Sequence, residues 1–210
     1  PTALLAVAQL LRGASSVSLA QNCLTPTEGL QIADGVRLSS RLTVLNLANN
    51  RLAGVWFEHG VFRGEFTANG LLALARAVAS SPSLRRLDLS QNSLGVAYID
   101  GVRVNSMNGI VALAEAVGKS NSLRELVIGY NSLGPAAGVV LGEATARSRL
   151  TELDISGNLV GVKGARAVCD AALANTELCV ADLRFNSFNV QAKELLREAE
   201  ASRSGLRFEL

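Results

Sequence analysis

The chain has 210 residues, a formal net charge of +2, and 49% hydrophobic against 18% charged residues. These values supply ample material for a core, and no basic run exceeds two residues, which argues against a face that tracks nucleic-acid phosphates. No apolar run reaches the ~18 residues that a membrane-spanning helix requires, so no membrane span is expected.

A leucine-rich cycle recurs along the chain, and each copy carries an asparagine where a short strand is predicted to end. In the copy from Leu84 to Leu94, leucine stands at positions 1, 4, 6 and 11 and asparagine at position 9. The asparagines are separated by 28, 42, 39, 27 and 28 residues. They are Asn22, Asn50, Asn92, Asn131, Asn158 and Asn186. Two consecutive cycles are therefore longer than the others.

Each cycle divides into a strand-forming half and a helix-forming half. Positions 4 and 6 alternate as a short strand with one buried face does, and an apolar segment with helical spacing follows. The sequence Thr25-Pro26-Thr27-Glu28 predicts a helix start with a capping box. Leu4 fits the helix of a preceding repeat, so the chain is predicted to open inside a repeat. A more polar last helix and the alternating Leu206, Phe208 and Leu210 predict a terminal cap and a final strand.

This motif resembles the ribonuclease-inhibitor type of leucine-rich repeat, the superfamily of ribonuclease inhibitor, Ran GTPase-activating protein and innate-immune receptor repeat domains. The resemblance implies an α/β right-handed solenoid, a curved horseshoe with a parallel sheet on the concave face and helices on the convex face. We expect a single array over residues 1–210 with about six strand–helix repeats, and insertions near residues 54–67 and 95–105. The six asparagines are interpreted as structural, because a buried amide can bond to backbone groups where the chain leaves the sheet.

The two insertions hold five of the nine aromatic residues and the only histidine. In the second insertion, Asp-Gly between two β-prone runs predicts a hairpin that places Ile99 opposite Val102 and Tyr98 opposite Arg103. The first insertion allows a weaker hairpin around His59-Gly60. That hairpin pairs Phe57 with Phe62 and Trp56 with Arg63. Each hairpin would pack its apolar side and expose its aromatic–arginine side.

A second candidate contact surface is the solvent face of the predicted sheet. This face is mildly acidic, and its carboxylates are Asp88, Glu125, Glu152, Asp154 and Asp182. They could attract a basic partner, or they could simply follow the repeat pattern. Tyr130 and Phe185, which directly precede the asparagines, could be exposed contacts or could cover the loop layer.

Catalysis is not expected. Carboxylates on an open, hydrated sheet lack the burial that shifts a pKa. No Ser/His/Asp arrangement is found because the only histidine lies on an insertion, and a single histidine argues against a histidine-based metal site. No metal or cofactor is predicted. The three cysteines show no metal-ligand spacing, and Cys169 falls at a small, buried helix position. No cysteine-rich end caps are visible, which favours an intracellular, cytoplasmic location.

The sequence predicts a non-catalytic scaffold that binds a protein partner through the repeat surface and the aromatic insertions, without identifying that partner or the oligomeric state. The candidate contact residues are Trp56, Phe57, His59, Phe62, Arg63, Tyr98, Arg103, Tyr130, Phe185 and the five carboxylates. Two alternatives remain open: a structural subunit or fragment of a larger assembly, and a regulator of a small GTPase.

Overall fold

The computed structural model describes residues 2–99 and 102–210, and of residues 2–6, 8, 96–99 and 102–105 it describes the backbone alone. Strands and helices alternate along the described chain. The helices are α1 (Thr2–Gly13), α2 (Pro26–Leu38), α3 (Asn69–Ser80), α4 (Asn108–Lys119), α5 (Gly134–Ala146), α6 (Gly161–Ala174) and α7 (Val190–Ser202). The strands between them are β1 (Ser16–Ser18), β2 (Val44–Asn46), β5 (Arg86–Asp88), β8 (Glu125–Val127), β9 (Glu152–Asp154), β10 (Val180–Asp182) and β11 (Arg207–Glu209).

These strands form one parallel seven-stranded sheet in the order β1-β2-β5-β8-β9-β10-β11. Equivalent repeat positions are paired throughout, so Leu45, Leu87, Leu126 and Leu153 lie side by side in adjacent strands. Parallel strands joined by helices bury one face of the sheet against the helical layer. The architecture is an α/β leucine-rich-repeat solenoid, as the sequence predicts.

The core lies between the sheet and the helices and consists mainly of aliphatic side chains. Leu89 and Leu126, at strand positions 6 and 4, are buried, as are the helix residues Leu74 and Leu113. Glycine and alanine on the inner helix faces bring neighbouring helices close. A Cβ on Gly142 would lie 2.7 Å from the Ala167 carbonyl carbon, which shows how little space separates α5 from α6.

The helix starts and the array end follow from local sequence. Thr25 caps α2 with the reciprocal Thr25–Glu28 capping box, and Pro26 is the first helical residue. The hydrogen bond from the Thr25 side chain is the main cause of the lowered pKa of Glu28. At the other end, Arg203 donates to backbone oxygens of Asn175, Thr176 and Leu178. These bonds fasten the end of α7 to the preceding repeat.

Both insertions leave the array as antiparallel two-stranded ribbons. The first ribbon comprises β3 (Val55–Glu58) and β4 (Val61–Gly64), and the second comprises β6 (Val96–Ile99) and β7 (Val102–Asn105). Their backbone pairs are those the turn positions predict: Trp56 with Arg63 in the first, and Tyr98 with Arg103 in the second. The predicted Asp-Gly turn of the second ribbon lies outside the described residues.

Candidate functional site

An asparagine ladder defines the edge of the sheet where the strands end. Asn131 shows the arrangement. Its Nδ2 donates to the backbone oxygens of Leu89, Ile128 and Gly129 at 3.0, 2.9 and 3.1 Å. Its Oδ1 accepts from the backbone N–H groups of Asn92 and Leu94 in the preceding repeat, at 2.8 and 3.3 Å. The ladder therefore satisfies backbone groups that would otherwise be buried without partners.

Five of the six predicted asparagines are buried in this way: Asn50, Asn92, Asn131, Asn158 and Asn186. Asn22 differs from the expectation, because it is exposed and its Nδ2 donates to its neighbour Ala20. The physical reason is its place in the sheet. β1 is an end strand of the described sheet, so Asn22 has no earlier strand toward which to donate.

The residues at position 8, directly before each ladder asparagine, form a loop row along this edge. All six have left-handed backbone angles, with φ between 53° and 62°. The row comprises Gln21, Asn49, Gln91, Tyr130, Gly157 and Phe185. This region favours glycine and asparagine, and it is unfavourable for bulky side chains. The left-handed conformation is therefore energetically unfavourable for Tyr130 and Phe185, whereas Asn49 and Gly157 are residue types that adopt it readily.

Tyr130 and Phe185 are exposed and form one apolar surface. Their side chains are 50% and 69% exposed, and their ring centroids lie 6.1 Å apart although one repeat separates them. Gly157 makes this contact possible, since a Cβ at that position would lie 2.5 Å from the Tyr130 ring. Of the two interpretations offered for these residues, the structure supports exposed side chains and not side chains that cover the loop layer.

The first ribbon adds two more aromatic side chains to the same edge. Phe57 is 62% exposed and makes an edge contact with Phe62 at a centroid distance of 5.0 Å. Trp56 is half-buried, with the guanidinium of Arg51 4.1 Å from its ring centroid. The Trp56 Nε1–H is buried and has no acceptor among the described residues, a situation that costs about 1–3 kcal/mol.

The expectation that this ribbon exposes its Trp56 side and packs its Phe57 side is therefore wrong. Val55, at the ribbon base, is buried in the core, but the ribbon extends beyond the core and leaves Phe57 uncovered. Trp56 is covered instead by Arg51 and lies against Gly64, whose missing side chain leaves room for the ring. Arg63 is exposed and pairs with Glu58 at 3.1 Å, while His59 occupies the exposed turn with φ 50°.

Two concavities lie along this edge. The first, of about 530 Å³, is lined by Asn49, Asn50, Trp56, Phe57, Gln91, Ser93 and Tyr130. The second, of about 420 Å³, lies on the other side of the Tyr130–Phe185 pair and is lined by Leu183, Arg184, Phe185, Asn186, Ser187, Phe188, Lys193 and Leu210. We call Trp56, Phe57, Tyr130 and Phe185 the aromatic rim, because they link these two concavities. Tyr98 and Arg103 of the second ribbon are outside the described side chains.

The sheet face carries the predicted carboxylates, but many are engaged with neighbours. Glu125 pairs with Arg86, and Asp182 pairs with Arg184, which also contacts Glu209. Asp88 accepts hydrogen bonds from the backbone and hydroxyl of Ser90. Glu152 is exposed. This strip of carboxylates is consequently less available to a partner than its composition indicates.

Asp154 corrects the expectation that no carboxylate of this face has a shifted pKa. Burial raises the pKa of Asp154, hydrogen bonds from Ser156 oppose the shift, and repulsion from Asp182 and Asp88 adds to it. The sheet face is therefore partly shielded from water, and half-burial suffices to disfavour the charge. The described residues contain no group of three or more His, Cys, Asp or Glu side chains placed to hold a metal ion.

Comparisons with known proteins agree with the architecture. A family model described as Leucine Rich repeat matches residues 80–97 and 149–169, which agrees with the leucine-rich-repeat architecture of the fold. A search of curated proteins finds no match. The solved structure of leiomodin-1 actin-binding site 2 is similar over 95% of both chains, with 16% identity and a TM-score of 0.60. A solved Bacteroides fragilis protein matches over 84% of this chain and 48% of its own length, with 17% identity and a TM-score of 0.47.

No helix in the described part of the chain combines the length and apolar character needed to cross a membrane. Among the described cysteines, Cys169 is buried while Cys23 and Cys179 are exposed, and all three are free thiols. The position of Cys169 agrees with the small, buried site that the repeat pattern predicts.

Proposed function

We propose that this chain is a non-catalytic scaffold that binds a protein partner, and that the aromatic rim contributes more to that binding than the acidic strip. The observation that carries the proposal is the exposure of Phe57, Tyr130 and Phe185 along one edge of a rigid array. Large aromatic side chains are favoured anchors in protein interfaces, and a contiguous exposed apolar surface is a frequent sign of an interaction site.

The backbone supports this interpretation. Tyr130 and Phe185 occupy left-handed loop positions that the same chain fills elsewhere with glutamine, asparagine and glycine, none of which is aromatic. Such conformations cost bulky residues free energy and tend to persist where function requires them. Trp56, with its buried and unsatisfied Nε1–H, is likewise a poor choice if stability is its only role.

The acidic strip is the weaker candidate because its charges are already engaged. Glu125 and Asp182 have arginine partners, and the ionised form of Asp154 is disfavoured by burial. Exposed or partly exposed ion pairs generally contribute well under ~1 kcal/mol. We therefore expect the strip to influence the orientation of a partner more than its affinity.

The test compares capture of partners from an extract of the cells that express the chain. Immobilised wild type is compared with Tyr130→Asn/Phe185→Asn and with Asp88→Asn/Asp154→Asn. The asparagine substitutions copy Asn49, so the aromatic variant should melt at or above the wild-type temperature. We expect wild type and the carboxylate variant to capture the same partner proteins in similar amounts. The aromatic variant should capture about tenfold less of these proteins, or lower amounts still.

Two outcomes would overturn this proposal. One is equal retention by the aromatic variant and wild type, and the other is a larger loss with the carboxylate variant. Thermal melts of all three proteins establish that any difference arises in the folded state. Purified actin belongs among the probes because the similar leiomodin-1 structure is that of an actin-binding site.

The two alternative functions predict other behaviour in the same experiment. A permanent subunit would co-purify with its neighbours at fixed stoichiometry, and a GTPase regulator would alter GTP turnover by the proteins it captures. We also propose the ribonuclease-inhibitor class of repeat, which is supported by a full helix of 12 to 14 residues in each described cycle. The free thiols support a reducing, cytoplasmic location.

A further inference from the structure

Basic side chains lie at or near the two concavities of the rim, whereas the sheet face carries carboxylates. No side-chain carboxylate is among the described residues that line either concavity. The guanidinium of Arg51 lies 4.1 Å from the ring centroid of Trp56, which lines the first concavity, and Lys193 and Arg184 line the second. Arg184 is paired with Asp182 and Glu209, whereas Arg51 and Lys193 have no carboxylate partner within the described part of the chain. Within the described residues, a cation without a side-chain carboxylate partner thus lies near each concavity.

The distance between the concavities follows from the sheet. The first is centred on the loops of β2 and β5, and the second lies beside the loops of β10 and β11. Four strand spacings of ~4.8 Å separate the midpoint of β2 and β5 from the midpoint of β10 and β11, which gives roughly 19 Å. An extended peptide advances ~3.3 Å per residue and alternates its side chains between two faces, so two side chains about six residues apart span this distance on the same face. Between the concavities, a bound peptide would cross the exposed Tyr130–Phe185 pair.

The floor of the first concavity offers hydrogen-bonding groups to an extended backbone. Asn49, Gln91 and Ser93 line it, and no side-chain hydrogen bond engages them among the described residues. An extended peptide exposes its carbonyl and N–H groups and is commonly recognised by such polar groups between side-chain pockets. A pre-formed helix would satisfy its own backbone groups and leave this floor without bonding partners.

We infer that the aromatic rim binds an extended, acidic peptide segment of a partner protein, with two large apolar side chains about six residues apart and a carboxylate beside each. One apolar side chain would occupy each concavity, and the carboxylates would pair with Arg51 and Lys193. This inference rests on the proposed function, because it assigns a ligand chemistry to the same rim.

The experiment uses fluorescein-labelled synthetic peptides and fluorescence anisotropy with the full chain. The probe peptide carries phenylalanine at two positions about six residues apart, so that both project from the same face of an extended chain, with glutamate beside each and threonine elsewhere. One matched peptide replaces every glutamate with lysine, and another places the two phenylalanines next to each other. We expect the probe to bind about tenfold or more tightly than either matched peptide, with affinity that falls as salt rises.

Matched variants of the chain test the contacts. Arg51→Gln/Lys193→Gln and Tyr130→Asn/Phe185→Asn should each weaken binding of the probe by about tenfold. Two control variants should bind as wild type does. Lys119→Gln removes an exposed cation of α4, and Leu173→Ser removes an apolar side chain of α6 that is 50% exposed.

The outcomes separate this inference from the proposed function. Equal or tighter binding of the lysine peptide, or binding that depends on Tyr130 and Phe185 but not on peptide charge or spacing, would overturn the acidic-segment inference and leave the rim as a contact surface. Failure of the aromatic variant to change either peptide binding or partner capture would overturn both. Sedimentation velocity tests whether a second copy of the chain occupies the rim instead of a peptide. It would do so if the free chain forms a dimer that the substitutions Phe57→Ser and Phe185→Asn dissociate.

Discussion

At the scale of single residues, side chains at the same position of different repeats can have chemically different environments. Asp88, Val127, Asp154 and Asp182 share position 5 of neighbouring strands, yet burial raises the pKa of Asp154. Because the folded-state pKa is raised, the protonated form favours folding. This contribution is fully present below the unfolded pKa, near the ordinary aspartate value of 3.8, and is lost as pH rises through the folded pKa.

Asp154→Asn should therefore increase the free energy of unfolding at about pH 7 and have little effect at about pH 3. The asparagine Oδ1 can still accept the hydrogen bond that the Ser156 N–H makes at 2.8 Å. Urea denaturation across this pH range measures the effect. Asp34→Asn, at an exposed position on α2, is the control. A variant that is less stable at neutral pH would show that ionised Asp154 contributes favourably.

Substitutions within one strand should distinguish the core from the sheet face. Leu126 is 1% exposed, so Leu126→Ala should lower the free energy of unfolding by about 2–5 kcal/mol. Glu125, its neighbour, pairs with Arg86 on the partly solvated face, and Glu125→Ala should cost under about 1 kcal/mol. Chemical denaturation of both variants tests the strand phase, and similar losses would contradict it.

At the scale of elements, the first ribbon has a structural base and an exposed tip. Val55 is buried and Phe66 packs against the core, while the turn residues His59 and Gly60 are exposed. The base is closed by a hydrogen bond from the Thr67 N–H to the Ala53 carbonyl at 3.0 Å. The insertion is thus continuous with the solenoid at its base and separate from it at its tip.

Removal of residues 57–62, with Asn-Gly joining Trp56 to Arg63, should leave the free energy of unfolding within about 1 kcal/mol of wild type. Val55→Ala, which leaves the ribbon length unchanged, should cost about 1–3 kcal/mol because it opens a space in the core. Circular dichroism and thermal melts make the comparison. Loss of cooperative folding in the shortened variant would mean that the tip also completes the core.

The ribbon also shows which features the sequence can predict. The pairing of Trp56 with Arg63 follows from the His59-Gly60 turn, because a two-residue loop determines which residues face each other. The exposure of Phe57 does not follow, because it depends on whether the solenoid extends beneath the ribbon. The cover over Trp56 comes from Arg51, which precedes the ribbon, and no local pattern indicates that contact.

At the scale of the whole molecule, the repeat pattern predicts which residues form the core, but it does not predict the contacts of the aromatic rim. The strand–helix order and the buried leucines follow from a periodicity that recurs in each cycle. The contact between Tyr130 and Phe185 arises across an intervening repeat, and it requires a glycine at position 157. Likewise, the pKa of Asp154 is raised first by burial and then by repulsion from Asp182 and Asp88 in other strands, and both causes arise only when the sheet forms.

The asparagine ladder has a consequence for how such a chain can change during evolution. Each buried asparagine bonds to the same backbone positions of the repeat before it, so every joint between repeats is chemically alike. Duplication or loss of one repeat by recombination would therefore create a joint that already fits. Each such event between Gln91 and Phe185 would change the separation of the two concavities by one strand spacing, ~4.8 Å. The peptide length that the rim accommodates would change by the same step, and an event between Tyr130 and Phe185 would also alter the contact between these two rings.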